Sequence, residues 1–240
     1  MNYQKKLAIV IPLANEENTI DELLNRILKQ IPKNSKIFCV IDNVSKDNTK
    51  NKIQKLSLQD SRVILVWAPE NRCVVDAYFK GYKEALKINS DWILEMDGGF
   101  SHTPEEIPRF LKAMNKGYDF AAGSRFIKDG KYIKPRIRYI ISKGGTQITN
   151  FLLGTKMKDM TSGFECFSKK AMEYILSKGV KSRAHFFQTE IRYMLHNWNW
   201  IEVPITYKNP SKSVGKSNIM EAFRNLWNLY KTKNNKKNLS

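Results

Sequence analysis

Short apolar runs that stop at or beside an acid recur through the first half of this chain, each followed by a polar turn. Leu7-Ala8-Ile9-Val10-Ile11-Pro12 leads to Glu16, and Ile37-Phe38-Cys39-Val40-Ile41 closes on Asp42. Val63-Ile64-Leu65-Val66-Trp67 follows, and Trp92-Ile93-Leu94-Glu95-Met96 ends at Asp97, just before Gly98-Gly99. Residues 119–123 give a fifth run and 200–205 a last one. Runs of this length without polar alternation read as strands buried on both faces. Between them, Ile20, Leu23, Leu24, Ile27 and Leu28 keep helical spacing, and 76–88 reads as another helix. Strands alternating with helices every ~25–30 residues build βαβ units. The expected fold class is therefore α/β, a mostly parallel sheet with flanking helices.

In an open parallel sheet, ligands bind in the crevice beyond the carboxyl ends of the strands. Glu16, Asp42 and Asp97 all fall there. Three carboxylates on one rim suit a nucleotide's sugar, its base, and a divalent metal on its diphosphate. No G-x-G-x-x-G and no Walker loop occurs, so neither a dinucleotide fold nor a phosphate-loop ATPase is signalled. Thr103-Pro104-Glu105-Glu106 opens a helix right after the Asp97 turn, with proline early and acids in the first turn.

The chain has 240 residues, 42% of them hydrophobic, enough for one substantial domain with its own core. Its formal charge of +18 favours anionic partners: nucleic acid, an anionic membrane surface or phosphorylated substrates. The basic residues are dispersed and no aromatic–basic motif of the single-strand binders is present, so nucleic acid is not an expected partner. Cys39, Cys73 and Cys166 show no zinc or disulfide spacing and read as reduced packing residues. His102, His185 and His196 make no metal-ligand pattern. No apolar run approaches the ~20 residues needed to cross a bilayer, and no signal peptide is read, so a soluble or peripheral protein is expected.

The second half changes character. Arg136 and Arg138 precede apolar Ile140, Ile141, Ile148, Phe151, Leu152 and Leu153, an amphipathic helix by pattern. A helix begins at 186–190. The closing helix sets Ile219, Ala222, Phe223, Leu226, Trp227 and Tyr230 on one face, before Lys231, Lys233, Lys236 and Lys237. The expected division is a catalytic domain over 1–218 and a C-terminal amphipathic helix with basic tail over 219–240.

These residues resemble family 2 glycosyltransferases. Ile9-Val10-Ile11-Pro12 with Asn15-Glu16 is similar to that family's opening, as is Ile41-Asp42-Asn43-Val44-Ser45 with Asp47 and Thr49. Met96-Asp97-Gly98-Gly99-Phe100-Ser101-His102-Thr103-Pro104-Glu105 resembles the metal-binding stretch of polyprenol-phosphate (dolichol-phosphate) mannose and glucose synthases. Gly123-Ser124-Arg125-Phe126, Arg138 with Ser142, Asp159-Met160-Thr161-Ser162-Gly163-Phe164, and Phe187-Gln188-Thr189-Glu190 continue the likeness. So do Glu202-Val203-Pro204-Ile205-Thr206-Tyr207 and Gly215-Lys216-Ser217.

The resemblance implies an A-type nucleotide-diphospho-sugar transferase fold. It also implies inverting transfer of a mannose- or glucose-type hexose from a GDP- or UDP-sugar to a polyprenyl or dolichyl phosphate. By position, Pro12, Asn15, Glu16 and Asp42 would bind the nucleotide sugar, and Asp97 would bind it together with Mg²⁺ or Mn²⁺. Arg125 and Arg138 would meet phosphate oxygens, and Gln188 and Glu190 would lie near the sugar. The protein would work in the cytoplasm, peripherally at the cytosolic membrane face, in cell-envelope or glycoconjugate biosynthesis. A membrane-anchoring subunit is a further partner left open. A surface-polysaccharide acceptor, or a degenerate relative that binds nucleotide without turnover, are the alternatives.

The sequence departs from the family pattern at several points. The usual Asp-x-Asp is Asp97-Gly98-Gly99, so the second acid is missing, and Asn43 replaces the second acid of an Asp-Asp pair. Cys73-Val74-Val75 stands where a Gly/Lys-rich loop is usual, Ala14 where an aromatic often stacks, and Lys212 where an arginine is usual. An acid restored at position 99 is expected to raise metal affinity.

Overall fold

Residues 4–133, 136–208 and 216–237 are described in the computed structural model, so Lys212 and Gly215 lie outside the described residues. The strands are β1 (Leu7–Leu13), β2 (Lys36–Ile41), β3 (Val63–Trp67), β4 (Trp92–Glu95), β5 (Phe120–Ser124), β6 (Lys131–Tyr132), β7 (Glu165–Ser168), β8 (Trp200–Pro204) and β9 (Thr206–Tyr207). Seven of them form one sheet in the order β3-β2-β1-β4-β7-β5-β8, and β6 pairs with β9 apart from it. β7 runs antiparallel to both its neighbours, while the other pairings in the large sheet are parallel. The mostly parallel α/β sheet expected from the strand rhythm is present, with one antiparallel strand inserted.

The helices are α1 (Ile20–Leu28), α2 (Thr49–Gln59), α3 (Val74–Lys87), α4 (Ile107–Met114), α5 (Arg136–Leu153), α6 (Lys169–Lys178), α7 (Phe186–Met194) and α8 (Lys216–Lys237). Successive strand side chains point to opposite faces, which divides the core into two layers. Leu7, Ile9, Ile11 and Leu13 of β1 pack with Ile20, Leu24 and Ile27 of α1 and Phe110 of α4. Ala8 and Val10 join Tyr78 and Tyr82 of α3, Met172 of α6 and Phe187 of α7 on the other face. Cys39 and Cys166 are buried and free, and burial pushes the Cys39 thiol up to about 12, a packing role rather than a reactive one.

Gly81 decides how close α3 comes to the sheet. A Cβ at this position would collide with Val10 Cγ1, so only glycine lets the helix lie directly on β1. That close approach puts Tyr78 and Tyr82, one turn apart, against the C-terminal half of β4. Among the described residues no helix is long and apolar enough to cross a membrane.

Candidate active site at the sheet rim

Asp97 lies two residues past the end of β4, at the rim where β1 and β2 also end. Its carboxylate is one-third exposed. Oδ1 accepts the Tyr78 hydroxyl at 2.9 Å and Oδ2 accepts the Ser101 hydroxyl at 3.1 Å. Its backbone N–H donates to His102 Nδ1 at 3.1 Å, which places the imidazole proton on Nε2. The His102 ring is buried and stacked on Phe164 at 4.9 Å, and burial lowers its pKa. His102 is therefore neutral, a brace for the Asp97 backbone.

The loops after β1 and β2 are stitched together beside this turn. Asn15, in the left-handed region at φ 58, donates from its side chain to Val44 O and accepts the Lys46 N–H. The backbone N–H groups of Glu16 and Glu17 donate to Thr49 Oγ1 and Asp47 Oδ2. Asp42 accepts the Val44 N–H at 2.9 Å, and Pro12 pairs with Val40 in the sheet. Asn15, expected at the nucleotide sugar, thus has its side chain engaged in joining two loops, while Glu16 and Asp42 remain partly exposed at the rim.

Glu16 reaches the Asp97 turn, a juxtaposition the sequence pattern does not announce. Its carboxylate accepts the Thr19 hydroxyl and lies so near Gly99 that a Cβ there would be 2.8 Å from Oε1. Gly99 itself has φ +72. Gly99→Asp therefore sets a second acid beside Glu16 in a conformation that aspartate tolerates at some cost. The metal-free variant is expected to be less stable than wild type by about 1 kcal/mol. Because a cation relieves like-charge repulsion, Mn²⁺ should raise its melting temperature more than that of wild type. Equal Mn²⁺ shifts in the two proteins would show that position 99 does not face the ion.

Arg125 and Asp159 form the other side of the site. The Arg125 backbone N–H and Nε donate to Asp159 Oδ2 at 3.0 and 2.7 Å, and Nη2 donates to Oδ1 at 2.8 Å and to Thr161 Oγ1. The rings of Phe126, Tyr132 and Tyr207 surround the guanidinium at 5.1–5.3 Å. Burial would raise the Asp159 pKa, but the Arg125 charge and hydrogen bonds outweigh it and hold the acid at about 2. The resemblance places Arg125 on substrate phosphate. The structure instead commits this buried guanidinium to Asp159. Arg138, half-buried in the first turn of α5, acts on the same tyrosines. The Tyr207 phenol is pushed up chiefly by burial and by Asp97, with Arg125 and Arg138 pulling the other way. Tyr207 lies between the His102 ring at 5.6 Å and the Arg125 guanidinium at 5.3 Å, a position that the sequence pattern marks only as the end of a motif.

A buried frame supports this rim. Arg192 is fully buried, pairs with Glu165, and donates to the carbonyls of Asp159, Gly123 and Ser162. Glu95 accepts the Tyr82 hydroxyl and stands opposite Glu165 in the β4–β7 register. Burial, Glu165 and Asp97 together push Glu95 well above its ordinary range, so it is the protonated member of the pair. Gln188 is buried against Gly163, where a Cβ would strike its amide. Glu190, expected near the sugar, accepts the backbone N–H groups of Lys181 and Ser182 and so fixes the loop before α7. Its two oxygens are taken up by that loop.

Among the described residues, no three His, Cys, Asp or Glu side chains gather as metal ligands. What the rim offers is the exposed part of the Asp97 carboxylate with Glu16 on the adjacent turn. That donor set suits a hard cation completed by diphosphate and water, the usual habit of Mg²⁺, and does not make an all-protein cage.

The sequence profile of glycosyl transferase family 2 matches residues 8–176. A polyprenol monophosphomannose synthase of Mycolicibacterium smegmatis is 30% identical over 225 residues, covering 91% of this chain and 84% of that protein. A dolichol-phosphate mannosyltransferase of Pyrococcus furiosus is 31% identical over 235 residues. That match covers 94% of this chain and 64% of the relative, so the chain spans less than two thirds of it. Among solved structures, glucosyl-3-phosphoglycerate synthase from Mycobacterium tuberculosis, in complex with Mn²⁺, UDP and phosphoglyceric acid, superposes with a TM-score of 0.70. Its identity is 13%, with 95% of this chain and 79% of that chain covered. At that identity the likeness is one of fold, the A-type arrangement of nucleotide-diphospho-sugar transferases.

Proposed function

The chain belongs to glycosyl transferase family 2 and is a glycosyltransferase, and on that footing we propose that it moves a hexose of the mannose or glucose type from a GDP- or UDP-sugar to a polyprenyl phosphate, with inversion. The observation that carries the reading is Asp97, braced on both oxygens yet one-third exposed, with its brace His102 ring to ring with Tyr207 and Tyr207 in turn against Arg125. The two mannosyltransferase-type relatives support the choice of lipid phosphate as acceptor.

In this reading Pro12, Glu16 and Asp42 line the nucleoside end of the donor, and Asp97 is the residue that would hold Mg²⁺ or Mn²⁺. The ion supplies positive charge where the departing nucleoside diphosphate becomes more negative. Arg138 orients the acceptor phosphate, and Arg125 fixes Tyr132 and Tyr207 around it. A phosphate is already an anion at neutral pH, so its oxygen attacks the anomeric carbon without a general base. A rim whose one histidine is buried and neutral is consistent with that chemistry. A single displacement inverts the anomeric centre. Catalysis is assigned to residues 1–218, with the helix from 219 onward accessory to it.

The test is transfer of radiolabelled hexose from GDP-mannose and from UDP-glucose to a short, water-soluble polyprenyl phosphate, with Mn²⁺ or Mg²⁺. A glycosyl phosphate product with one donor clearly preferred is expected. Turnover onto a saccharide acceptor, with none onto the polyprenyl phosphate, would replace this reading with a polysaccharide-building one.

A further inference from the structure

The turn that follows Asp97 holds a conformation that one of its own residues disfavours. Gly99 and Phe100 are successive left-handed residues, at φ 72 and φ 60. Glycine takes that region freely, but a bulky side chain there is an outlier that persists only where its surroundings impose it. Among the described residues the other non-glycine cases are Asn15, Asn89 and Asp129, whose short polar side chains tolerate the region. Phe100 is thus the bulky exception among them, and it stands in the same turn as the rim carboxylate.

The neighbours of the turn account for it. On the inner side there is no room: a Cβ on Gly98 would lie 2.7 Å from Leu13 Cδ2, and one on Gly99 2.8 Å from Glu16 Oε1. Ser101 is tied at two points, its hydroxyl donating to Asp97 Oδ2 and its carbonyl accepting the Lys208 N–H at 3.0 Å. The outer side is closed by α1. The Phe100 ring packs on the core layer that contains Leu24 and Ile27, and the Arg26 guanidinium lies over it, 4.9 Å from the centroid. Arg26 donates in turn to Glu105, in the short turn that opens α4, from Nε at 2.9 Å and Nη2 at 2.8 Å. Its Nη1 donates to Glu22, one turn earlier in α1, at 3.3 Å. A planar guanidinium fixed by two acids offers the ring its flat face in one orientation.

We propose that Arg26 and Phe100 are positioning residues for the cation site. Arg26 holds the Phe100 ring, the ring holds the backbone left-handed, and that backbone delivers the Ser101 hydroxyl to Asp97. With no second acid on the turn itself, the orientation of the exposed Asp97 edge depends on this hold. The inference rests on the reading that Asp97 holds the donor's cation.

The experiment is titration of the full chain with Mn²⁺, followed by the electron paramagnetic resonance signal of the free ion. It is run with GDP and separately with UDP, at a temperature where every variant is folded, and metal-free melting temperatures are recorded beside it. Wild type is compared with Phe100→Ala, Phe100→Gly, Arg26→Ala and Arg26→Ala/Phe100→Gly. Both Phe100 variants lose the ring, but glycine still accepts a left-handed backbone and alanine does not. Phe100→Gly should therefore bind Mn²⁺ with nucleotide at least about fivefold more tightly than Phe100→Ala, the low end of the left-handed penalty. Wild type should exceed both. A ring that merely filled space would give a level or reversed order, since glycine adds chain freedom that alanine lacks.

Arg26→Ala should weaken binding about two- to fivefold, the scale of an exposed cation–π contact. In the Phe100→Gly background it should add nothing, because no ring is left to hold. Phe100→Ala binding as tightly as Phe100→Gly, or an Arg26 effect that survives loss of the ring, overturns the proposal and leaves Asp97 at the ion. So does a difference between the glycine and alanine variants confined to melting temperature, which would assign the left-handed turn to the fold and not to the site. A wild type that binds no Mn²⁺ with either nucleotide overturns the reading of Asp97 itself, and this inference with it.

Discussion

Asp97→Asn is expected to lose at least about a hundredfold in turnover with the fold intact. Removing one well-placed charge-stabilising group from a transferase-type site costs on that order or more. Two features separate this loss from unfolding. Asparagine keeps an oxygen to accept the Tyr78 hydroxyl, and its amide can donate to Ser101 Oγ in place of the present bond. The removed quantity is the charge at the one-third-exposed edge. Wild-type and variant proteins should therefore melt together and diverge in Mn²⁺ dependence. Turnover within a few-fold of wild type, at the same metal requirement, would remove Asp97 from the ion site.

Arg125→Ala is expected to destabilise the protein by about 3–5 kcal/mol, the cost of leaving one half of a buried ion pair uncompensated. The orphaned group would be Asp159, fully buried and held at about 2 by the arginine against the opposing effect of burial. A depressed folded-state value fixes the sign of the pH dependence. The contribution is present above the unfolded value near 4 and lost as pH falls through about 2. In Arg125→Ala that advantage disappears, and stability should improve, not decline, on mild acidification toward the pH where Asp159 protonates. Arg125→Lys should recover only part of the loss, because an ammonium cannot reproduce the paired bonds to both Asp159 oxygens. Urea titrations at pH 5 and 7 measure all three. A change below about 1 kcal/mol in Arg125→Ala would show that the pair is poorly coupled to folding.

The first half of the fold is legible because its strands are short, apolar and punctuated by acids, and parallel strands buried on both faces have little other way to look. β7 is harder to read. Residues 165–168 are only four in number, and nothing in their composition distinguishes a strand that runs against its neighbours. α6 is passed over by the apolar pattern alone, although Ser168 caps it by accepting the Ala171 N–H. In α5, periodicity gives the helix and its apolar face correctly but cannot say which face is turned inward. That choice is made by Thr146 and Asn150, whose polar groups satisfy the backbone of Met160 and Met157.

Within the site, single charged residues announce themselves and their partners do not. Asp97 and Glu16 are visible as rim acids, but that Glu16 reaches the turn after Asp97 depends on the loop path. The Tyr78–Asp97 and Tyr82–Glu95 bonds were within reach of spacing arguments. Residues four apart on a helix are separated by about 6 Å, and residues two apart on a strand by about 6.6 Å. Two tyrosines and two acids at those spacings on packed elements match rung for rung. The resemblance puts Arg125 on phosphate oxygens, and its buried partner Asp159, 34 positions away, is invisible to any local pattern.

The inserted antiparallel strand has a consequence for synthesis. As the chain leaves the ribosome, β1 to β4 can assemble as a parallel unit with β4 at its edge, while β7 is still to be made. The growing protein must therefore carry β4 as an open strand margin for as long as some seventy more residues take to emerge, several seconds at ordinary elongation rates. An apolar margin of that kind invites pairing with another nascent chain. Glu95 lies within it, ionised while the margin is wet, and a charge on a core-facing position discourages a stranger's strand from closing over it. Burial beneath the arriving β7, with Glu165 opposite, raises the Glu95 carboxyl against the pull of Arg192 and seals the margin. The same carboxyl that underlies the finished rim is thus a guard on the unfinished sheet.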